Sequence, residues 1–383
     1  MSQAAIDGLL RQGLVIEART QVDTWLASEP ERLLALQYQG LTRLYCGDAA
    51  GAEASFRKAL ALAPELPRNS ANLAIALMAQ GLYGEGLPLY ESRYASDIVA
   101  HDRVSFAALP PERQWRGETL AERRLLLVRE QGYGDQIQFI RFAPRLHTLG
   151  ASRVTAWVSP GLAALLSSVE GLDAISEGMP AADEYDLWCP LLSLPLLLGI
   201  NAPQAPDKLP YLRSPARTAH WQQQIASWAQ ERPTVGIVWA GSPGNSVDAR
   251  RSLPAELMLD MLRERNGRVA VSLQLAPLGM EQIEQQCRDG IIPLLDMLSD
   301  FSDTAAVIEQ LDLIISVDTA VAHLAGALGK PTWLLLPAGP DWRWGRQGER
   351  TDWYPSMRIF RQPTPGDWGS VVQAVQKALS SEE

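Results

Sequence analysis

The chain has 383 residues and a formal net charge of −10, a length that predicts two or three domains with their own cores. The acidic charge argues against general nucleic-acid binding, which depends on neutralising phosphates with Lys and Arg. No apolar stretch is long enough to span a membrane, and the N-terminus lacks the pattern of a secretory signal. The few cysteines are scattered and predict neither a disulfide framework nor a zinc site. We therefore expect a cytoplasmic protein.

The opening third repeats with the 34-residue period that is typical of tetratricopeptide repeats. Matching residues recur at that interval: Gly13, Gly47 and Gly81; Ala18, Ala52 and Gly86; Val22, Phe56 and Tyr90; Leu10, Leu44 and Met78; Pro30 and Pro64. Small residues let paired helices approach closely, and a proline stops the second helix. The last unit has no closing proline and carries Arg93 at its second small position. The pattern predicts a tetratricopeptide-repeat helical domain over residues 1–94.

The rest of the chain predicts parallel sheets. Residues 95–121 show no clear periodicity and predict a linker. Strand-length apolar runs then alternate with helical patterns over residues 122–215 and again over 216–366, and residues 367–383 predict a final helix. Such alternation is typical of doubly wound parallel sheets. The predicted fold is therefore α+α/β: helical repeats followed by two Rossmann-like lobes, an arrangement that suggests the GT-B architecture of nucleotide-sugar transferases.

The most informative stretch is 318–337. An apolar run ending at Val317 predicts a buried strand, and the pattern that follows predicts a helix that ends at Gly329. A strand that leads directly into a helix leaves free backbone N–H groups at the carboxyl edge of a sheet, where phosphate binds. His323, one turn into the helix, is within reach of a phosphate or sugar oxygen, or is an ordinary core residue. Asp318 and Thr319 can cap this helix, and the N–H groups of Thr319, Ala320 and Val321 together with the Thr319 hydroxyl are expected to form an anion cradle.

A glycine-rich turn follows the first predicted strand of the first lobe. Gly132 and Gly134 permit a tight turn, and Asp135 would lie at the mouth of the strand. A carboxylate there can accept a proton from an acceptor hydroxyl. The alternative is a structural turn in which Asp135 caps the next helix.

Two further stretches combine arginines with small or aromatic residues. The loop 239–252 contains Arg250 and Arg251, either of which can pair with phosphate, although exposed arginines on a solvated turn explain the loop equally well. The stretch 339–355 contains Trp342, Arg343 and Trp344. Its rings can stack on a base or sugar and its arginines can bind charged groups, or the tryptophans are buried and hold a long loop in place.

These stretches together resemble one family, the bacterial tetratricopeptide-repeat glycosyltransferases. The catalytic half of that family is similar to the heptosyltransferases and, more distantly, to the O-linked N-acetylglucosamine transferases. The resemblance covers nearly the whole chain and lies in motifs that follow the same order: Glu130-Gln-Gly-x-Gly-Asp-x-Ile-Gln-Phe-x-Arg141, Cys189-Pro-Leu-Leu-Ser-Leu-Pro195, Asp318-Thr-Ala-Val-Ala-His-Leu-Ala-Gly-Ala-Leu-Gly-Lys-Pro331, Pro340-Asp-Trp-Arg-Trp344 and Trp353-Tyr-Pro-x-Met-Arg-x-Phe-Arg-Gln362.

The resemblance implies a metal-independent GT-B glycosyltransferase with no cofactor beyond its nucleotide-sugar co-substrate. It places the general base at Asp135, the donor in the C-terminal lobe and the acceptor towards the N-terminal lobe. From the residues and the resemblance together we expect donor binding by Trp239, Gly241, Arg251, Ser252, Gln274, Asp318, Thr319, Ala320, Val321 and His323. The acceptor-side and loop positions are Gly132, Gly134, Gln136, Trp342, Arg343 and Trp344.

The predicted reaction is an inverting single displacement onto a Ser or Thr hydroxyl of a protein such as flagellin, held by the repeats. Two alternatives stand beside it: a heptosyltransferase-like enzyme of lipopolysaccharide core, and a non-catalytic scaffold whose lobes sense a nucleotide. Where relatives carry polar or basic residues, this chain has Asn245–Val247 and Leu275. Fewer cations bind a diphosphate less well, so a monophosphate donor of the CMP-sugar kind and a weakened site both fit. The sugar and the nucleotide (UDP, ADP, GDP, dTDP or CMP) stay open.

Overall fold

The computed structural model describes residues 3–95, 106–214, 217–242, 244, 248–274, 285, 288, 290–294 and 297–381. Several predicted features lie outside the described residues: the lobe boundary at 215/216, linker residues 96–105, Asn245–Val247 and Leu275. Among the helices that the structure describes, none combines the length and apolar composition needed to cross a membrane.

The N-terminal part consists of helices that pack on one another in sequence. They lie where the 34-residue period predicts hairpins, and Gly13, Gly47 and Gly81 each have positive φ at the turn between paired helices. That left-handed conformation ends a helix and favours glycine. The helices are α1 (Gln3–Arg11), α2 (Val15–Ser28), α3 (Leu33–Tyr45), α4 (Ala49–Leu62), α5 (Pro67–Met78) and α6 (Tyr83–Tyr90).

The first sheet is built from β1 (Arg124–Val128), β2 (Arg153–Trp157), β3 (Ala174–Ser176) and β4 (Leu187–Pro190). All its pairs are parallel, in the order β3-β2-β1-β4. The chain therefore changes direction at β1, and ligands of open parallel sheets bind at the carboxyl edge beside such a point. The helices of this part are α7 (Tyr133–Phe139), α8 (Ala143–Thr148), α9 (Ala163–Leu166) and α10 (Leu194–Leu197).

The second sheet contains β5 (Thr234–Val238), β6 (Val269–Ser272), β7 (Ile291–Pro293), β8 (Leu313–Val317), β9 (Thr332–Leu336) and β10 (Met357–Arg361). It too is parallel, in the order β10-β9-β8-β5-β6-β7, so its change of direction lies between β5 and β8. The two sheets after a helical part fit a GT-B-like α/β architecture. The helices are α11 (Thr218–Ala229), α12 (Asp248–Arg251), α13 (Ala255–Met261), α14 (Phe301–Gln310), α15 (Ala320–Ala327) and α16 (Trp368–Ser381).

One continuous apolar core joins all three parts. It includes Phe56 of α4, Leu127 of β1 and Leu324 of α15, all fully or almost fully buried. Strand β8 is buried on both faces, because Ile314 belongs to this core and Ile315 to a second cluster shared with α16. Burial on both faces explains the unbroken apolar run that predicted the strand. The helical part and the two sheets therefore hold each other in fixed positions.

Candidate active site

Asp135 lies in the first turn of α7, directly after β1 and its glycine turn. Its Oδ2 accepts a hydrogen bond of 2.8 Å from the Gly132 N–H, so the carboxylate stabilises the helix start. The side chain is 18% exposed. It faces the space between the carboxyl edges of the two sheets, which we call the crevice. Gly132 occupies the N-cap position and Asp135 the third position of the helix, so one carboxylate oxygen caps the helix start and the other is left for a partner. The role of Asp135 as a base stays a prediction.

That partner is Arg343, which comes from the loop after β9 in the other sheet. Its Nη2 pairs with Asp135 Oδ1, and its Nη1 donates to Asp341 Oδ1 at 2.8 Å. The guanidinium is nearly buried and lies over the Trp342 ring, 4.4 Å from its centroid. Burial raises the pKa of Asp135 above its usual value, the charge of Arg343 opposes that shift, and the charge of Asp341 adds to it. The candidate base, Asp135, is therefore a carboxylate that pairs with an arginine from the other lobe.

The phosphate-cradle candidate lies at the start of α15. Thr319 occupies the N-cap position but makes no capping bond with its side chain; its hydroxyl lies 3.2 Å from Ser316 Oγ instead. The first backbone N–H groups of a helix have no partner within it, which leaves Ala320 and Val321 as donors facing the carboxyl edge of β8. The predicted side-chain cap is thus absent, and the backbone donors of the predicted cradle are present.

The two halves of the site meet where α7 packs against α15. A Cβ built on Gly134 would lie 2.6 Å from His323 Cδ2, closer than packed carbon atoms come. Only a glycine lets the turn that carries Asp135 rest on the His323 ring. The turn that carries Asp135 and the helix that begins at the predicted cradle are therefore in direct contact.

We expect Gly134→Ala to lower both stability and donor affinity, because the added methyl forces either His323 or α7 to move. Overpacking of this kind costs about 1–3 kcal/mol. Urea unfolding and calorimetric titration with a nucleotide-sugar measure the two effects. Gly178→Ala is the matched control, since a Cβ there meets nothing within 4 Å. Wild-type values for Gly134→Ala would mean that the two lobes do not make this contact in solution.

His323 is buried and neutral. Its Nδ1 lies 2.9 Å from the Tyr354 hydroxyl, and its Nε2 lies 3.9 Å from Asp318 Oδ1. Burial, followed by the charges of Arg343, Arg141 and Arg251, holds the pKa of His323 well below its usual value. In the tautomer that accepts a hydrogen bond from Tyr354 at Nδ1, the ring carries its proton on Nε2. A neutral imidazole can then donate one hydrogen bond to an anion.

Asp318 and Arg251 are two further charged groups near the start of α15. Burial, followed by the charge of Asp341, raises the pKa of Asp318 to about 6, whereas the charge of Arg251 lowers it. Arg251 lies on α12 and donates from Nε to Asp248 Oδ1 at 3.1 Å, which fixes its position. The loop after β5 thus brings a cation to the same crevice as the start of α15.

Several side chains that the sequence assigns to ligand binding make hydrogen bonds or packing contacts within the protein. Gln274 accepts hydrogen bonds from the backbone N–H groups of Trp239 and Ala240 and donates to Ala240 O. The Trp239 ring is buried in the cluster that α16 covers. Gln136 exchanges hydrogen bonds of 2.9 Å with Ser159, behind the turn.

The Ser252 hydroxyl and the tryptophan pair are also structural. Ser252 Oγ accepts from the Gly241 N–H at 3.1 Å and donates to Asp248 at 2.9 Å. Trp342 and Trp344 are almost fully buried. Trp342 packs edge-on against Tyr83 and Tyr90 of α6, so it joins the helical part to the crevice.

The sequence did not reveal the residues that support the Asp135 turn from behind. Glu130 accepts from Nε and Nη2 of Arg93, each at 2.8 Å, and from the Leu192 N–H at 2.8 Å. Both side chains are fully buried. The only signal was that Arg93 breaks the small-residue pattern of the repeats. Among the residues that the structure describes, no group of three or more His, Cys, Asp or Glu side chains is placed to hold a metal ion. Independence from metal ions stays a prediction.

Comparison with known proteins identifies part of the second lobe. Residues 260–339 match the model of glycosyltransferase family 9 (heptosyltransferase). The chain is 27% identical to Protein FlbA of Caulobacter vibrioides over 418 aligned residues, which cover 92% of this chain and 68% of that protein.

Solved structures are also similar to the chain. A glycosyl transferase family 9 protein from Veillonella parvula aligns with a TM-score of 0.47 at 14% identity, covering 70% of this chain and 99% of its own. An O-GlcNAc transferase mutant from Thermobaculum terrenum aligns with a TM-score of 0.29 at 13% identity, covering 100% and 95%. The segment that matches the family model contains the start of α15 and supports a glycosyltransferase.

Proposed function

We propose that the chain transfers a sugar from a nucleotide-sugar to a hydroxyl group by a single, inverting displacement that needs no metal ion. Asp135 deprotonates the hydroxyl, and the start of α15 stabilises the leaving phosphate. The observation that carries this proposal is the contact of Gly134 with His323, which brings base and cradle to one crevice. A thermal-shift screen with UDP-, ADP-, GDP-, CMP- and dTDP-sugars tests it, because a bound donor raises the melting temperature by mass action.

Donor binding rests on a small set of groups. The backbone donors of Ala320 and Val321 cost no side-chain entropy, His323 adds a neutral donor and Arg251 a positive charge. Asp318 lies beside them and, at pH values above about 6, presents a negative charge. We therefore expect donor affinity to rise as the pH falls through that value, since the protonated carboxyl no longer repels phosphate.

We expect His323→Ala or Arg251→Ala to weaken donor binding about ten- to a hundredfold, because a charge-assisted hydrogen bond is worth roughly 1.5–3 kcal/mol. Calorimetric titration with the cognate donor measures the effect. Arg263→Ala is the control, since its side chain is 78% exposed and forms its ion pair with Asp260 on α13. Unchanged affinity in both crevice variants would place the nucleotide elsewhere in the molecule.

The acceptor in this proposal is a Ser or Thr side chain of a protein, with flagellin as the named candidate. The helical part, residues 1–94, forms tetratricopeptide repeats that hold that protein, the lobe 122–215 faces it, and the lobe 216–366 binds the donor. Supporting this arrangement, α6 contacts the Trp342 loop that carries Arg343, so a chain bound along the repeats is led towards Asp135. We place the reaction in the cytoplasm, where nucleotide-sugars are made.

One observation favours a second candidate, a non-catalytic scaffold that senses a nucleotide. Arg343 already occupies the oxygen of Asp135 that a substrate hydroxyl needs. In the catalytic proposal, the donor phosphates draw Arg343 away and release the base. A donor that binds without turnover in wild type and in Arg343→Gln would favour the scaffold. Turnover by wild type would exclude it.

A further inference from the structure

A cavity of about 300 Å³ lies where the helical part meets the second lobe. Helices α1, α3 and α5 form its walls, and α12 of the loop after β5 closes one end. The lining residues that matter here are Asp7, Arg11, Tyr38, Tyr45, Arg68 and Arg250. The cavity is therefore made jointly by the repeats and by the loop that carries Arg251 into the donor crevice.

The cavity is positively charged in a chain whose net charge is −10. Among the described residues that line it, three are arginines and one, Asp7, has a carboxylate. That carboxylate accepts the hydrogen bond of the Tyr38 hydroxyl. Clustered positive charge in a low-dielectric recess attracts anions more strongly than the same charge on an open surface.

Arg250 is the residue that most needs an anionic partner. Its guanidinium lies over the Tyr45 ring, 3.3 Å from the centroid, and burial lowers its pKa. Among the residues that the structure describes, no carboxylate lies within ion-pair distance of it, whereas the adjacent Arg251 is paired with Asp248. A partly buried cation without a counter-charge attracts an anion more strongly than a fully hydrated one, so the site is better satisfied when an anion enters.

The cavity is close to the proposed base through a short series of contacts. A Cβ on Gly339 would collide with the backbone oxygens of Leu44 and Tyr45, so the loop after β9 runs against the end of α3. That loop continues to Asp341 and Arg343, which holds Asp135. The cavity and the proposed base are therefore linked by one loop, which packs against the end of α3 and then carries Arg343 to Asp135.

We propose that this cavity binds the carboxylate of an Asp or Glu side chain in the acceptor protein, with Arg250 as its main charge partner. In calling the bound protein an acceptor, the inference rests on the proposed function. The chemistry that the cavity recognises is inferred from the cavity alone. It gives the acceptor a distinguishing feature: an acidic residue near the hydroxyl that receives the sugar.

Fluorescence anisotropy tests the proposal with the full chain and two labelled peptides. One is rich in Ser and Ala and carries adjacent glutamates, and the other has glutamines in their place. We expect the glutamate peptide to bind about tenfold more tightly, since a charged hydrogen bond is worth at least that factor. Arg250→Gln removes the difference and Arg250→Lys retains part of it, because the ammonium keeps the charge without the planar stacking. Arg263→Gln, the same change on an exposed arginine, leaves the difference intact.

Equal binding of the two peptides to wild type would overturn the proposal, as would equal effects of the Arg250 and Arg263 substitutions. Displacement by inorganic phosphate as effective as displacement by unlabelled glutamate peptide would instead make this a small-anion site. Urea midpoints verify that the Arg250 variants fold. Titration with nucleotide-sugars separates the proposal for this cavity from the proposed function. If the glutamate peptide binds more tightly but no nucleotide-sugar binds, the cavity proposal holds and the glycosyltransferase proposal is wrong.

Discussion

Asp135→Asn is expected to abolish sugar transfer and to leave donor affinity almost unchanged. The amide keeps the shape of the side chain and its oxygen can still accept from the Gly132 N–H, but it cannot take a proton from a hydroxyl. Loss of a general base lowers turnover by about 10²–10⁴-fold. Product analysis under saturating donor measures the first effect and calorimetric titration the second.

A pH profile separates this role from a structural one. The acceptor hydroxyl attacks the donor only when Asp135 is ionised and can take its proton, so kcat/KM rises with pH through the raised pKa of that carboxyl. Asp341→Asn is the matched control, since Asp341 shares Arg343 with Asp135 but lies on the other lobe. Removing its charge lowers the pKa of Asp135, which moves the acid limb of the profile to lower pH while turnover persists. Turnover by Asp135→Asn at the wild-type rate would remove Asp135 from the mechanism.

The strand and helix around residue 318 were predictable because the information is local. The apolar run of β8, the helix start at Thr319 and Gly329 with its φ of +71° all lie within one short stretch. Each of these features depends on residues that are neighbours in the sequence. The apolar run, for example, is required because a strand of a parallel sheet is buried on both faces. The same holds for the period of the repeats, since positive φ at Gly13, Gly47 and Gly81 is a requirement of the turn.

The orientation of polar side chains was not predictable in the same way. Gln274 stands at the end of a strand, where an amide can bind a ligand or a backbone group equally well. The structure uses it to hold Trp239 and Ala240. A sequence pattern cannot separate the two uses, because the backbone partners of Gln274 lie in the loop after β5, far away in the sequence. Gly134 illustrates the converse: only its contact with His323 on the other lobe shows why a side chain is excluded there.

Domain limits depend on contacts as well as on pattern. The prediction that residues 1–94 form a domain rests on a period, and the structure adds that Phe56 and Tyr83 share one core with both lobes. Arg93 breaks the period because its guanidinium is needed by Glu130, 37 positions later. Arg93, the residue that departs from the repeat pattern, therefore lies at the contact between the helical part and the first lobe.

Replacing Arg93 of that buried pair with Met is expected to cost about 3–5 kcal/mol of unfolding free energy, since Glu130 is left buried without its cation. Glu130→Gln is expected to cost less, because the guanidinium keeps its ion pair with Glu91 at 2.8 Å and its hydrogen bond to Tyr90 O at 3.1 Å. The double variant should lose less than the sum of the two single variants, because Glu130 is then no longer a buried charge without its cation. Urea unfolding gives the midpoints, and an unchanged slope shows that the unfolded states are comparable.

The exposed pair of Arg57 and Glu85 provides the control for this cycle. Their side chains are 46% and 51% exposed, so Arg57→Met or Glu85→Gln is expected to cost less than about 1 kcal/mol. The buried pair also holds the turn that leads to Asp135, through the Leu192 N–H and the end of β1. Variants of Arg93 should therefore lose turnover before they lose the fold, at urea concentrations well below the midpoint. Equal costs for the buried and exposed pairs would show that Arg93 and Glu130 are hydrated in solution, and that the repeats do not hold the catalytic turn.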